Sequence, residues 1–207
     1  MIAEFNSLLS QISPTEKVPL KIVLFGPEST GKSTLAEKLA QAFNTTWNPE
    51  FLRYYLASKI RHVEEPKAFE VKEDEVINIA IGQLKSELEI VKIGKPVVFL
   101  DTCLHMNLIY ADYYFEAVPP ILAKAVEMQN YDFFLFCNTD IPWLPDDQRD
   151  GIEVQKELYI KMKKHLSIYE LPHALVNGNN EERLDNAIKK VLHFFPDLRD
   201  NLRQWYV

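Results

Sequence analysis

The sequence predicts an α/β fold, a five-stranded parallel sheet flanked by helices on both faces. Three observations predict it. Short apolar runs recur at about 20–25, 96–101, 131–137 and 173–177, with a shorter β-branched and aromatic run at 45–48. Between them lie longer stretches whose apolar residues fall at helical spacing, the alternation expected of a parallel sheet covered on both sides. The first run leads directly into Gly26-Pro-Glu-Ser-Thr-Gly-Lys-Ser33, which fits Gly-x4-Gly-Lys-Ser/Thr, a phosphate-binding loop set between a strand and a helix. With 207 residues, 47% of them hydrophobic, the chain suits one domain with a sizeable core.

The elements follow in order. Ile2, Phe5, Leu8, Leu9 and Ile12 share a helical face that Pro14 closes, so residues 2–12 form an amphipathic helix, a surface for the domain or for a second copy in a homo-oligomer. Leu20 to Phe25 is the first strand. The helix after the loop buries Leu35, Leu39, Ala42 and Phe43. A short strand at 45–48 precedes Pro49, which is favoured at a first helical position and so opens the next helix. A long helix is expected from about Pro66 through Val71, Val76, Ile79, Leu84, Leu88 and Val91, stopped by Gly94 and Pro96. Pro96-Val-Val-Phe-Leu-Asp101 reads as a buried strand ending in an acid. Helices at about 103–116 and 119–130 are split by Pro119-Pro120, and the strand 131–137 gives way to a polar loop, 138–150. A helix at 152–169, a strand at 173–177, a helix at 180–194 and a short last helix complete the chain. Right-handed crossovers put every strand's carboxyl end on one edge. The expected arrangement is that of a P-loop NTPase of the nucleoside/nucleotide-kinase-like kind, with the second and third strands to one side of the first.

Composition narrows the function. A formal net charge of −7 opposes non-specific binding to nucleic acid or an anionic membrane. Cys103 and Cys137 stand 34 residues apart with no histidine at ligand spacing, which disfavours a disulfide scaffold or a zinc site and fits a reducing cytoplasm. The N-terminus lacks a basic start, and no apolar run nears the roughly 20 residues of a membrane helix. The histidines at 62, 105, 165, 173 and 193 are scattered and read as structural or surface residues.

The loop predicts a bound nucleoside triphosphate, with Gly26, Pro27, Glu28, Ser29, Thr30, Gly31, Lys32, Ser33 and Thr34 as its cradle. Backbone N–H groups and the helix dipole favour polyphosphate there. Lys32 would reach the β/γ-phosphates of ATP, and the Ser33 hydroxyl would ligate Mg²⁺. Asp101, at the end of its apolar strand, is the expected metal-organising carboxylate opposite Ser33, with Asp140 as competitor. Glu50 and Arg53 follow the second strand, where Glu50 can take a proton from an attacking hydroxyl or hold ribose hydroxyls, and Arg53 can steady the phosphoryl group. Arg149 in the 138–150 loop is expected to close over the phosphates, and Trp143 to stack or anchor. Asn177 and Gly178 lie where an adenine would sit. Glu28 could orient a hydrolytic water, as in recombinase-type ATPases with a Gly-Pro-Glu-Ser-Ser-Gly-Lys loop.

Gly-Pro-Glu-Ser-Thr-Gly-Lys-Ser-Thr-Leu from Gly26, Glu50-x-x-Arg53, Asp101-Thr102 and Pro142-Trp143-x-x-Asp146-x-x-Arg149 together resemble the ribosylnicotinamide kinase domain of NadR-type proteins, over about residues 20–195. The resemblance implies ATP- and Mg²⁺-dependent phosphorylation of the 5′-hydroxyl of nicotinamide riboside, giving the mononucleotide for NAD synthesis. NadR proteins also carry a helix-turn-helix and an adenylyltransferase domain. With about 19 residues ahead of the first strand here, a stand-alone kinase is expected. The family's lid usually reads Trp-x-x-Asp-Gly-x-Arg, and Asp147 replaces that glycine, which leaves another vitamin-like alcohol such as thiamine open as acceptor. The alternatives from other classes are a regulatory ATPase that uses Glu28, and a DNA-acting ATPase that the charge disfavours.

Overall fold

The central strand, β1 (Leu20–Phe25), is apolar on both faces because helices cover both, and Ile22 to Phe25 are fully buried. In the computed structural model the described residues are 1–12, 19–60, 71–143 and 151–203. On one side of β1 lies β3 (Val97–Asp101), paired Leu20 with Val97 through Leu24 with Asp101, and beyond it β2 (Thr46–Asn48). On the other side lie β4 (Phe133–Cys137) and β5 (His173–Val176). All neighbours are parallel, in the order β2-β3-β1-β4-β5. The expected fold is therefore the observed one, including the two strands on one side of the first.

Alternation along the strands sorts the core. Ile22, Leu24, Phe99, Phe133 and Leu135 face α2 (Lys32–Ala42) and α8 (Asn180–Phe194). Val23, Phe25, Leu100, Phe134 and Phe136 face α5 (Leu104–Phe115) and α7 (Ile152–Ile168). A third cluster lies away from the sheet, where Phe5 and Leu9 of α1 (Ile2–Leu9) pack with Leu84 of α4 (Val76–Val91), Leu104 of α5 and Leu122 of α6 (Pro120–Met128). The N-terminal helix is thus docked on its own domain. Each large apolar side chain buried this way is worth about 1.5–3 kcal/mol.

Two boundaries differ from expectation. The long helix begins at Val76, after a 3₁₀ turn at Glu73–Glu75, and Val71 lies ahead of it; residues 66–70 of the expected helix lie outside the described residues. Glu75 ends the turn by accepting the Lys72 N–H at 2.9 Å, which fixes the start of α4 there. The helix expected to open at Pro49 is α3 (Phe51–Ile60), two residues later. Its start is set from a distance, because the Phe51 N–H donates to Oε1 of Gln83 on α4 at 3.1 Å. A helix's first N–H groups need such outside acceptors.

Candidate functional site

The carboxyl ends of the strands meet at one edge, and the loop after β1 crosses it. Gly26 has φ +145, and a Cβ there would lie 2.9 Å from the Cys137 carbonyl oxygen, so only glycine lets the loop pass the end of β4. Gly31, at φ +75, stands at the N-cap of α2. Thr30 Oγ1 and Lys32 Nζ both donate to the Pro27 carbonyl at 2.8 Å, which folds the loop over the start of the helix. Gln155 of α7 donates to the Glu28 carbonyl at 2.9 Å and braces the loop from outside. Ser33 is half-buried on the first turn of α2, and Thr34 points outward.

Asp101 ends β3 beside this loop and is 1% exposed. Burial pushes its carboxyl up to about 6, against Lys32, a hydrogen bond from Ser33 and Arg53, which pull it down, while Glu50 pushes it further up. Those partners are the acids and bases that the sequence assigned to one site, and the fold brings them together. Asp101 Oδ1 is buried with no hydrogen-bond partner among the described residues. A carboxylate oxygen in that state beside a serine hydroxyl is the hard-oxygen donor set that suits Mg²⁺. Among the described residues no cluster of three or more His, Cys, Asp or Glu side chains could hold a metal.

Glu50 precedes α3 and pairs with Arg53 Nε at 3.2 Å. The glutamate is largely buried and the arginine half-exposed. Tyr110 of α5, which the sequence did not single out, lies against the same group. Burial raises its hydroxyl well above the ordinary range, and Glu50, Glu28, Tyr114 and Asp101 add to that.

The alternative metal acid, Asp140, is committed elsewhere. It pairs with Arg183 of α8 and accepts the Gly178 N–H at 2.7 Å. Arg183 also donates to the carbonyls of Gly178 at 2.8 Å, Asn138 at 3.2 Å and Val176 at 3.4 Å. One buried guanidinium thus fixes the loops after β4 and β5. Asn177 is held within them, its Oδ1 accepting from Asn138 Nδ2 at 2.8 Å and its N–H donating to Asn186 at 3.3 Å. Trp143 is half-buried, and its Nε1 is buried without a partner among the described residues. Arg149, Asp146 and Asp147 lie outside the described residues.

A buried polar network joins the two arms of the site. Gln83 Nε2 donates to Glu87 Oε1 at 2.9 Å and to the Thr102 carbonyl at 3.4 Å, while its Oε1 takes the Phe51 N–H. Tyr131 donates to Glu87 Oε2 at 2.9 Å and accepts the Leu104 N–H at 3.2 Å. The residue after Glu50 and the residue after Asp101 therefore hang from one glutamine. Burial pushes Glu87 up to about 7, opposed by the bonds from Gln83 and Tyr131 and by Lys21. The one sign of this network in the sequence is two polar residues, i and i+4, inside an apolar helical stripe. His105 and His165 form a second buried pair, Nδ1 to Nε2 at 2.8 Å, packed against Tyr131, Phe134 and Tyr169. They are structural, as the sequence suggested.

A family model described as AAA domain matches residues 21–183. The Trifunctional NAD biosynthesis/regulator protein NadR of Salmonella typhimurium is 28% identical over 150 residues, 70% of this chain and 36% of that protein. The chain thus spans about a third of the length of this curated relative. A solved NadR protein in complex with NR superposes with a TM-score of 0.68 at 23% identity, covering 85% of this chain and 50% of that one. The deoxyadenosine kinase from M. mycoides superposes at 0.56 with 13% identity, covering 84% and 99%. At these identities the solved structures establish a shared fold, that of P-loop nucleoside and nucleotide kinases.

Proposed function

We propose, on the premise that the chain belongs to the AAA domain family whose model spans residues 21–183, that it is an ATP- and Mg²⁺-dependent kinase of a small alcohol, with nicotinamide riboside as the acceptor. One observation carries the reading. Asp101 sits buried among Ser33, Lys32, Glu50 and Arg53, so a phosphate cradle, a metal-suited oxygen pair and an acid–base pair share one end of β3. The likeness to NadR proteins supports the choice of acceptor.

In this reading the loop N–H groups and the start of α2 bind the polyphosphate, and Lys32 leaves the Pro27 carbonyl to contact the transferred phosphoryl group. Ser33 and Asp101 hold magnesium, which supplies charge neutralisation at the phosphates. Glu50 takes the proton from the 5′-hydroxyl as its oxygen bonds to the γ-phosphorus and the bond to the β-phosphate oxygen breaks, releasing ADP. Arg53 offsets charge on the phosphoryl oxygens, and Arg149 is assigned the same task from the lid. Asn177 and Gly178 face the adenine, on a floor that Arg183 keeps in place.

The test is incubation of the protein with Mg-ATP and a panel of nucleosides and vitamin alcohols, including nicotinamide riboside and thiamine, with products identified by mass. The expected product is nicotinamide mononucleotide, with little ATP hydrolysis when no acceptor is present. ATP hydrolysis independent of every acceptor, and lost in Glu28→Gln, would replace the kinase with the regulatory ATPase.

A further inference from the structure

We propose that Asn107 and Tyr110, on one face of α5, form the subsite that reads the base of the acceptor nucleoside, and that it takes a flat ring bearing an amide-type donor–acceptor edge; this deepens the kinase reading and rests on it. Helix α5 has three faces. Leu104, Leu108 and Ala111 enter the cluster shared with α4 and α6, and Met106 and Ile109 enter the cluster shared with α7 and the sheet. Asn107, Tyr110 and Tyr114, at i, i+3 and i+7, share a third face, on which the Tyr110 ring also packs against the second of these clusters. The charged neighbours of Tyr110 are Glu50, Glu28 and Asp101, so that face borders the acceptor side of the phosphate loop.

Asn107 is where the face asks for a ligand. It is 9% exposed, and its Oδ1 is fully buried with no hydrogen-bond partner among the described residues. Buried acceptors are rarely left so, and asparagine is a poor helix former that a packing role alone would not favour. Thr102, at the turn leading into the same helix, holds a second buried oxygen, Oγ1, without a partner among the described residues, on a residue strained to φ +77. A ring carboxamide answers this chemistry, because its N–H can donate to Oδ1 and its carbonyl can accept from the Asn107 amide. The rings of Tyr110 and Tyr114 stack at 6.2 Å with 25° between planes, and offer an aromatic wall to a flat base. A ring carboxylate would instead meet the Oδ1 lone pairs and the charges of Glu28 and Glu50. The subsite should therefore prefer the amide to the acid.

Calorimetric titration of the full chain, with a non-hydrolysable ATP analogue and magnesium present, tests this using nicotinamide riboside and nicotinic acid riboside. The wild type should bind the amide at least about tenfold more tightly than the acid, the scale of one hydrogen bond gained or lost. Asn107→Leu should lose about tenfold on the amide while its affinity for the ATP analogue stays put. Asn107→Ala, which only removes atoms, serves the same purpose should the leucine variant fail to fold. Equal affinity of variant and wild type for the amide overturns the proposal, as does a wild type that binds neither riboside or both alike. Phosphoryl transfer is scored separately. Amide-selective binding without transfer removes the kinase reading and leaves the subsite, and undiminished selective transfer in Asn107→Leu does the reverse.

Discussion

Asp101 shows how one residue's position carries most of a functional argument. An acid that directly ends a fully apolar strand must either be hydrated at the sheet edge or be given partners there, and this one is buried among Lys32, Ser33, Glu50 and Arg53. Replacing Asp101 with Asn keeps its shape and removes the charge, so turnover should fall by about 100-fold or more, with magnesium dependence shifted to higher concentrations. Glu50→Gln separates the two sides of the site. It should lower kcat by about 100-fold, the scale of general base catalysis, and leave affinity for the ATP analogue unchanged. A collapse of nucleotide affinity in that variant would move Glu50 to the ATP side. Arg183 predicts a different signature, because its guanidinium satisfies three carbonyls and Asp140 while nearly fully buried. Arg183→Met should cost about 3 kcal/mol of stability, read by denaturant unfolding, and should weaken nucleotide binding through the loops it fixes. That Lys32, Ser33, Asp101 and Glu50 gather at one sheet edge was legible in the sequence because each adjoins a strong local signal, a glycine loop or a strand end. The surroundings of Tyr110, Asn107 and Arg183 were not, since their partners come from other elements and a helix alone says nothing of what its faces meet.

At the scale of elements, the seam between α3 and α4 decides where Glu50 stands. Gly82 of α4 lies under the Phe51 ring, and a Cβ there would fall 2.0 Å from a ring atom. One residue on, Gln83 accepts the Phe51 N–H, so α4 sets both the start and the tilt of α3. The chain also ties the far ends together, Tyr55 donating to Glu75 at 3.2 Å and Lys59 pairing with it. Gly82→Ala should therefore push Phe51 aside and carry Glu50 with it. Alanine gains about 1 kcal/mol of helix propensity, which offsets much of the clash at a half-buried ring. The expected result is a drop of tenfold or more in kcat/KM with Tm nearly unchanged, measured on the same preparation. Equal activity with unchanged Tm would mean that the ring swings away without moving the helix. The strands and most helices were legible from periodicity and from Gly and Pro stops. The starts of α3 and α4 were misplaced because each is set by a side chain, Gln83 for one and Glu75 for the other.

The whole molecule is built over ionisable groups it keeps out of water, and its pH dependence should show their opposed signs. Glu87 titrates near 7 when folded against 4.5 unfolded, chiefly through burial, with Gln83, Tyr131 and Lys21 pulling the other way. Gln129 also reaches it at 3.5 Å, and the Cys103 thiol feels its charge. Between pH 4.5 and 7 the folded protein holds this proton more firmly than the unfolded chain, so this group's contribution falls as pH rises through that range and is flat above it. His105 and His165 work in reverse. Burial lowers them to about 3 and 4, with His165 adding to the effect on His105, so their contribution is complete above about 6.5 and is lost on acidification. Glu87→Gln isolates the Glu87 contribution, since glutamine keeps the shape and one of the two acceptor oxygens that Gln83 and Tyr131 use and cannot titrate. The difference in unfolding free energy between wild type and Glu87→Gln should shrink by about 2 kcal/mol from pH 5.5 to 8, with the variant losing the downward slope. Because the same glutamine–glutamate pair suspends Phe51 and Thr102, on either arm of the site, activity should follow. In the variant the acceptor KM should lose whatever pH dependence the wild type shows near 7, while the KM for ATP keeps its own. A difference that stays constant across pH would place the Glu87 proton in the unfolded chain as firmly as in the folded one, and the network would then be only a brace.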